Sequence, residues 1–303
     1  MSLKILFLGQ MRTWENFLSQ IKFFQSQNVI EVDIYYHVEQ NTLTQSQFNM
    51  LNDMSIRVIV SDPISRDEVK KFDPKLDSRN SGIRKVSGGM SNGSLWKQII
   101  DLNTAYSHFE DDDYILRTRA DLVFNESIFT DLVSYINTGK LEEKIWVQWI
   151  NVFEIFYIHD TAFMGKLKNL RKYIDIDSNI SLAKFYPLNS LPVFFWIKPW
   201  INNDWCQNFI LKWGLKKPQI LYLLNSEYRN AILNYLVEVQ KSFIINYGQI
   251  GWFLQWDLNV EKKRIWKNYI SNNSFLRNVI TKRFFVENNK DLKKIIKILA
   301  KWK

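Results

Sequence analysis

The chain has 303 residues but only one cysteine, Cys206, and three scattered histidines, His37, His108 and His159. A single thiol excludes an internal disulfide, and so few soft ligands leave no CxxC or HExxH arrangement, so a structural zinc has no site to occupy. Cys206 stands between Trp205 and Phe209, the setting of a small packed hydrophobe rather than of a nucleophile. No run approaches the ~18 apolar residues that a membrane span needs. The opening apolar stretch stops at Gly9, too soon for the core of a secretory signal, so the expected location is the cytoplasm. GxGxxG, a P-loop lysine, internal repeats and low-complexity tracts are also missing.

What the chain does have is apolar and aromatic content, at 46% and 15%. That suffices for a large core, in one large domain or two small ones. The net charge of +9 becomes informative once it is divided. Residues 261–303 hold thirteen Lys/Arg against three Asp/Glu, a net of +10, which leaves 9 − 10 = −1 for residues 1–260. Within that basic end, Leu292, Ile295, Ile296, Leu299 and Trp302 fall at helical spacing against Lys293, Lys294, Lys297 and Lys301. This is the pattern of a helix lying on an anionic membrane surface. The same pattern also describes a helix whose apolar stripe docks on its own domain with the lysines solvated. A nucleic-acid partner is not expected, because the body carries no basic stripe and no recognisable binding module.

The first 150 residues alternate strand and helix in the manner of a doubly wound α/β sheet. Strands are expected over 3–8, 31–37 and 56–60, and helices over 14–24 and 95–109. A long polar stretch from Ser61 to Asn92 reads as a lid or binding loop. Farther on, 145–149 and 152–158 read as adjacent strands, and a helix is expected after Gly165, running through Tyr173. The aromatic segment from Tyr186 to Trp205 suits either sugar stacking or core filling, and 225–236 reads as a helix.

The chemistry concentrates in Tyr114-Ile-Leu-Arg117-Thr-Arg119-Ala-Asp121-Leu-Val-Phe124. Read as one strand, it puts Arg117, Arg119 and Asp121 on a single face. Charge inside a strand needs partners, and the end of a parallel strand is where open α/β sheets place ligands, so the cluster points to something anionic or metal-bound. An ion pair between Arg119 and Asp121 is the bland alternative. The preceding run Asp111-Asp112-Asp113 lies at the opposite end of that strand and reads as a solvated turn, not a metal site.

Taken together, Gly9-Gln10-Met11-Arg12-Thr13, Tyr36-His37, Ser94-Leu-Trp96-Lys-Gln98, Arg117-Thr-Arg119-Ala-Asp121 and Asp160-x-x-Phe163-x-Gly165 resemble, in this order, bacterial surface-polysaccharide glycosyltransferases, the WavE-like lipopolysaccharide group among them. The resemblance spans roughly residues 3–240. It implies a GT-A-like doubly wound mixed sheet flanked by helices, and transfer of a sugar from a nucleotide-sugar donor to a growing capsule or lipopolysaccharide glycan; the basic end lies outside the resemblance. The division expected is a transferase domain over 1–260, with a nucleotide-sugar-binding half (1–125) and an acceptor-binding half (126–260), and a helical basic tail over 261–303. With that tail on an anionic membrane surface, the expected place is peripheral, at the inner face of the cytoplasmic membrane, and the expected acceptor a glycan or lipid-linked glycan.

A breaking bond to a nucleoside diphosphate builds negative charge, which calls for a cation or fixed donors. Asp121 is the candidate ligand for Mn²⁺ or Mg²⁺. The position two before it is Arg119, where the Asp-x-Asp pattern of GT-A enzymes has an acid, so Arg117 and Arg119 are equally candidates to neutralise the phosphates directly. Gly9, Gln10, Arg12 and Thr13 follow the first strand, where backbone N–H groups approach a nucleotide, and Trp96 and Gln98 are placed to line the donor pocket. Asp160 is the candidate base for the acceptor hydroxyl, with Glu154 and Glu227 in reserve; its structural alternative is a helix N-cap. A non-catalytic glycan- or lipid-carrier-binding protein is the rival reading, and a nucleotide-processing hydrolase the third.

Overall fold

The computed structural model describes residues 2–9, Met11, 13–63, 92–120, 122–124, 126–148, 150–151, Ile158, 162–173, 198–200, 202–213, 225–246, 251–252, 285–286 and 288–301. Its centre is a seven-stranded mixed sheet in the order β3-β2-β1-β4-β8-β6-β9. The strands are β1 (Ser2–Leu8), β2 (Glu31–Glu39), β3 (Arg57–Ser61), β4 (Tyr114–Thr118), β6 (Ile145–Val147), β8 (Phe163–Lys166) and β9 (Phe243–Ile245). Neighbours β3, β2, β1 and β4 run parallel; β8 is antiparallel to both β4 and β6, and β6 and β9 are parallel. Hence β8 alone is reversed and six strands end at the same edge.

Helices cover both faces, which is why the central strands are apolar throughout rather than alternating. On one face Leu3, Ile5, Phe7, Tyr36 and Leu116 pack against α1 (Trp14–Gln25), α2 (Gln45–Asp53) and α4 (Glu126–Asn137). On the other, Leu6, Leu8, Ile115 and Val147 pack against α3 (Asn92–Tyr106), α5 (Leu167–Arg171), α6 (Asp204–Trp213), α7 (Ser226–Ser242) and α8 (Asn289–Lys301). Helix α1 buries Phe17, Gln20, Ile21 and Phe24, a stripe at helical spacing. Its one polar member, Gln20, accepts from the Phe124 backbone N–H at 2.9 Å. Helix α4 ends in a Schellman motif: Gly139, at φ +68°, donates to Ile136 O, and Lys140 to Tyr135 O. A β-carbon would strain that left-handed turn. The expected doubly wound α/β fold is therefore present, and among the described residues no helix is long and apolar enough to cross a membrane.

Three details depart from expectation. The Arg-bearing strand does not run to Phe124. It ends at Thr118, an i→i+3 turn closes from Leu122 N to Arg119 O at 3.2 Å, and β5 (Leu122–Val123) pairs instead with β10 (Gly251–Trp252). The alternation that was to align Arg117, Arg119 and Asp121 therefore breaks at the turn. Residues 163–166, read as the approach to a helix, form the reversed strand β8, and the helix begins only at Leu167 with Lys166 as its N-cap. The third departure concerns 150–151, the gap between the strands expected over 145–149 and 152–158; Trp149 and residues 152–157 lie outside the described residues. Of the two strands expected there, β6 is present, β7 (Ile150–Asn151) pairs with β11 (Phe285–Val286), and Ile158 makes an isolated bridge to Ile150. The polar stretch expected as a lid falls mostly outside the described residues.

The aspartate turn before β4 lies at the amino edge, as expected. Asp111 pairs with Arg171 and Asp112 with Lys168, while Glu142 takes both Lys166 and the Tyr114 hydroxyl. The hydrogen bonds from Lys166 and Tyr114 hold the Glu142 carboxyl below its ordinary range. A carboxyl depressed in the folded state stabilises the fold above its unfolded pKa and loses that contribution as pH falls through the folded value. Glu142→Gln should therefore lower the thermal midpoint slightly at neutral pH, and the gap to the parent should close on acidification. A gap that is unchanged in acid would show that the charge is not what matters there.

Candidate functional site

The strand order creates a switch point. From β1 the chain steps outward through β2 and β3, then returns by α3 across the opposite face to β4 on the other side of β1. Beyond the carboxyl ends of β1 and β4 the connections diverge, and such a point is where open α/β sheets bind ligands.

Gly9 sits there at φ +97°, and a β-carbon on it would meet no atom within 4 Å. The backbone turn, not lack of room, is what requires glycine. Past it, Met11 packs on the core and Thr13, exposed, is the extended N-cap residue of α1 with no side-chain cap bond. Burial drives the nearby Tyr36 hydroxyl up to about 12, which keeps it a neutral phenol beside the Met11 backbone. Gln10 and Arg12 lie outside the described residues.

Arg117 is the central find. Its Cα is in register with Leu6 of β1, its residue is 2% exposed, and it shares a sheet face with Ile115 beneath α3. Its Nη2 faces Gln98 Oε1 of α3 at 3.5 Å, and its guanidinium carbon lies 5.6 Å from the Phe163 ring centre. Two of the residues picked from the sequence, Gln98 and Arg117, are thus brought together. Arg119 follows at the turn, half-buried. Burial raises the Tyr106 hydroxyl well above its usual range, while the positive charges of Arg117 and Arg171 oppose that rise. Trp96 lies in the first turns of α3, its side chain outside the described residues; Asp121, Glu154, His159 and Asp160 are also outside them. With Lys166 as the N-cap of α5 and β8 intervening, Asp160 is not the cap of that helix. Glu227, a reserve base, is exposed in the first turn of α7 and paired with Lys212. Trp200 of the aromatic segment fills the core against Tyr173, Tyr235 and Phe243 rather than forming a wall. Cys206 is buried and its thiol is pushed up to about 12 by that burial, as its packing role demands.

A second buried polar pair went unread in the sequence. Asp101, one turn after Gln98 on α3, has Oδ1 4.0 Å from Nδ1 of His37, and both side chains are almost fully buried. His37 is in register with Leu8, one residue before Gly9. The signal was present: 98, 101, 102 and 105 form a single inward stripe, and an acid on such a stripe needs a partner.

Among the described residues no group of three His, Cys, Asp or Glu side chains can hold a metal. The described side chains at this edge are Arg117, Arg119 and the His37–Asp101 pair, three cations or potential cations against one carboxylate. That donor set suits an anion rather than a hard divalent ion, which takes oxygen ligands. The fold is thus that of an α/β protein with a switch point between β1 and β4 whose described edge side chains are mostly basic.

No protein-family model and no curated protein matches the sequence. Among solved structures, the chain is similar to the glycosyltransferase GlyE of Streptococcus pneumoniae TIGR4, at 12% identity and a TM-score of 0.34, covering 61% of this chain and 39% of that one. It is also similar to glucosyl-3-phosphoglycerate synthase of Mycobacterium tuberculosis in complex with uridine-diphosphate, at 13% identity and 0.32, covering 78% of both chains. A third is 4-diphosphocytidyl-2C-methyl-D-erythritol synthase, at 13% and 0.32, covering 62% of this chain and 87% of that one. The chain thus spans well under half of GlyE. Scores this low reflect a loose likeness of outline, and nothing about this chain's ligand follows from them.

Proposed function

We propose that the protein is a nucleotide-sugar-dependent glycosyltransferase that extends a bacterial surface glycan of the capsule or lipopolysaccharide type. The observation that carries the reading is the buried guanidinium of Arg117, near the carboxyl end of β4 and next to the strand β1 that leads into Gly9. A diphosphate is the ligand whose charge and paired terminal oxygens best answer two arginines and a glycine turn. In the reaction, the acceptor oxygen bonds to the anomeric carbon as the bond from that carbon to the diphosphate breaks. The electron pair leaves on the diphosphate, where Arg117 and Arg119 stabilise the growing charge. The acceptor's proton goes to a carboxylate, for which Asp160 is the candidate. Asp121, two residues past Arg119 in sequence, is the candidate ligand for a divalent ion, which would add a further positive charge to the leaving group. The lipid-linked acceptor and a place at the inner face of the cytoplasmic membrane are part of this proposal.

A thermal-shift panel of UDP-, GDP-, dTDP- and CMP-sugars, with and without Mn²⁺, tests it. A ligand present at a hundred times its Kd should add about 2.7 kcal/mol to apparent stability, so one nucleotide should stand out. A flat panel would remove the proposal. A hit followed by binding without transfer would favour a glycan-binding module, and steady release of free sugar without acceptor a hydrolase.

A further inference from the structure

The C-terminal helix is part of the domain rather than a tail hung from it. Leu292 is fully buried in the core, Ile296 packs against the same cluster, and α8 lies along α7. Its start is tied down as well: Asn289 Oδ1 accepts from Ile245 N at 3.2 Å, and Asn246 and Asn288 form a bridge. At about 100° per residue, Lys290, Lys293, Lys294, Lys297 and Lys301 fall within one arc of roughly 100°, and Leu292 and Ile296 fall on the other side of the helix. Burial agrees, since Lys290, Lys293, Lys294 and Lys297 are all exposed. The one acid on the helix is Asp291, 3.5 Å from Lys294.

From this we infer that α8 docks the protein on an anionic phospholipid surface through its lysine face alone, with the apolar side left in the core. Charge complementarity points to a broad anionic plane, because the lysines form a straight stripe on a body whose remaining 260 residues carry a net of −1. Leu292 and Ile296 are already committed to the core, so this mode differs from an amphipathic helix that sinks its apolar half between lipids. The helix also starts at the useful edge. Ile245 ends β9, and β9 runs parallel to β4, so α8 begins on the edge where Arg117 and Gly9 lie. Two strands, β8 and β6, lie between β4 and β9, so three inter-strand spacings, about 14 Å, separate them. A membrane held against the lysine stripe would lie close to that edge. This deepens the membrane location proposed above, but its test is independent of sugar transfer.

Full-length protein should co-sediment with vesicles of equal parts phosphatidylcholine and phosphatidylserine, and high salt should release it. It should not sediment with pure phosphatidylcholine. Each lysine near such a surface contributes about fivefold, or ~1 kcal/mol, so K290Q/K293Q/K294Q/K297Q should weaken binding by about 600-fold. Its thermal midpoint should stay at the parental value, because none of these side chains enters the core. Equal sedimentation of variant and parent, binding that ignores salt or lipid charge, no sedimentation at all, or tighter binding to duplex DNA or RNA than to vesicles would each overturn the inference. Deleting the helix is the poorer test, since it also removes Leu292 from the core.

Discussion

Arg117→Met should cut kcat/KM for sugar transfer by about 10²–10³, the usual cost of losing one donor aimed at developing negative charge. The thermal midpoint should meanwhile barely move. The two readouts separate two roles. If Arg117 were there only to hold the fold, removing one partner of a buried charged network would destabilise by about 3–5 kcal/mol, and activity would follow the unfolded fraction. If it is there to meet a diphosphate, a methionine of similar length fills the space against Phe163 and stability is kept or rises. Arg117→Lys should recover little, because an ammonium cannot make the two parallel contacts of a guanidinium. The combination of full activity and a lowered midpoint would reassign Arg117 to the fold and remove the main support for the switch point as a donor site.

Leu292→Ala should destabilise the whole domain by about 2–5 kcal/mol, the range for a leucine truncated in a packed core. A helix that merely trailed from the body would tolerate the change without effect on global unfolding. Leu292 is fully buried among residues of α7 and the sheet, so its loss should appear in chemical denaturation as a lower midpoint with an unchanged slope. A midpoint equal to the parent's would mean that α8 is not docked in solution.

Much of the sheet was legible because buried parallel strands announce themselves as short apolar runs; β1, β2 and β3 fall within two residues of where periodicity places them. Gly9 was legible because the end of an apolar run is where a turn is needed. What could not be read was long-range pairing. Nothing local in Phe163-Met-Gly-Lys166 marks a reversed strand; it is one because β4 and β6 need a partner between them. The break after Thr118 was hidden for the same reason, since β5 leaves the main sheet to pair with residues more than a hundred positions away. Helix α2 is different: Thr44 and Gln47 spell a capping box, which forms, yet its weak apolar stripe hid it. Of the site residues, Arg117 and Gln98 were within reach because charge on an apolar strand and a polar side chain near a helix start are both conspicuous. Asp101 was overlooked because it sits among apolar neighbours that explain the helix without it.

The pairing of β5 with β10 has a consequence for biogenesis. The strand that continues from the arginine rim finds its partner only when residues 251–252 exist, and β7 waits still longer, for 285–286. Such distant pairings are slow to close because the loop entropy must be met before any contact rewards it. On a ribosome, the first half of the chain would emerge with the carboxyl border of its sheet unfinished and would stay so until synthesis is almost over. That border is thus among the last parts of the molecule to mature.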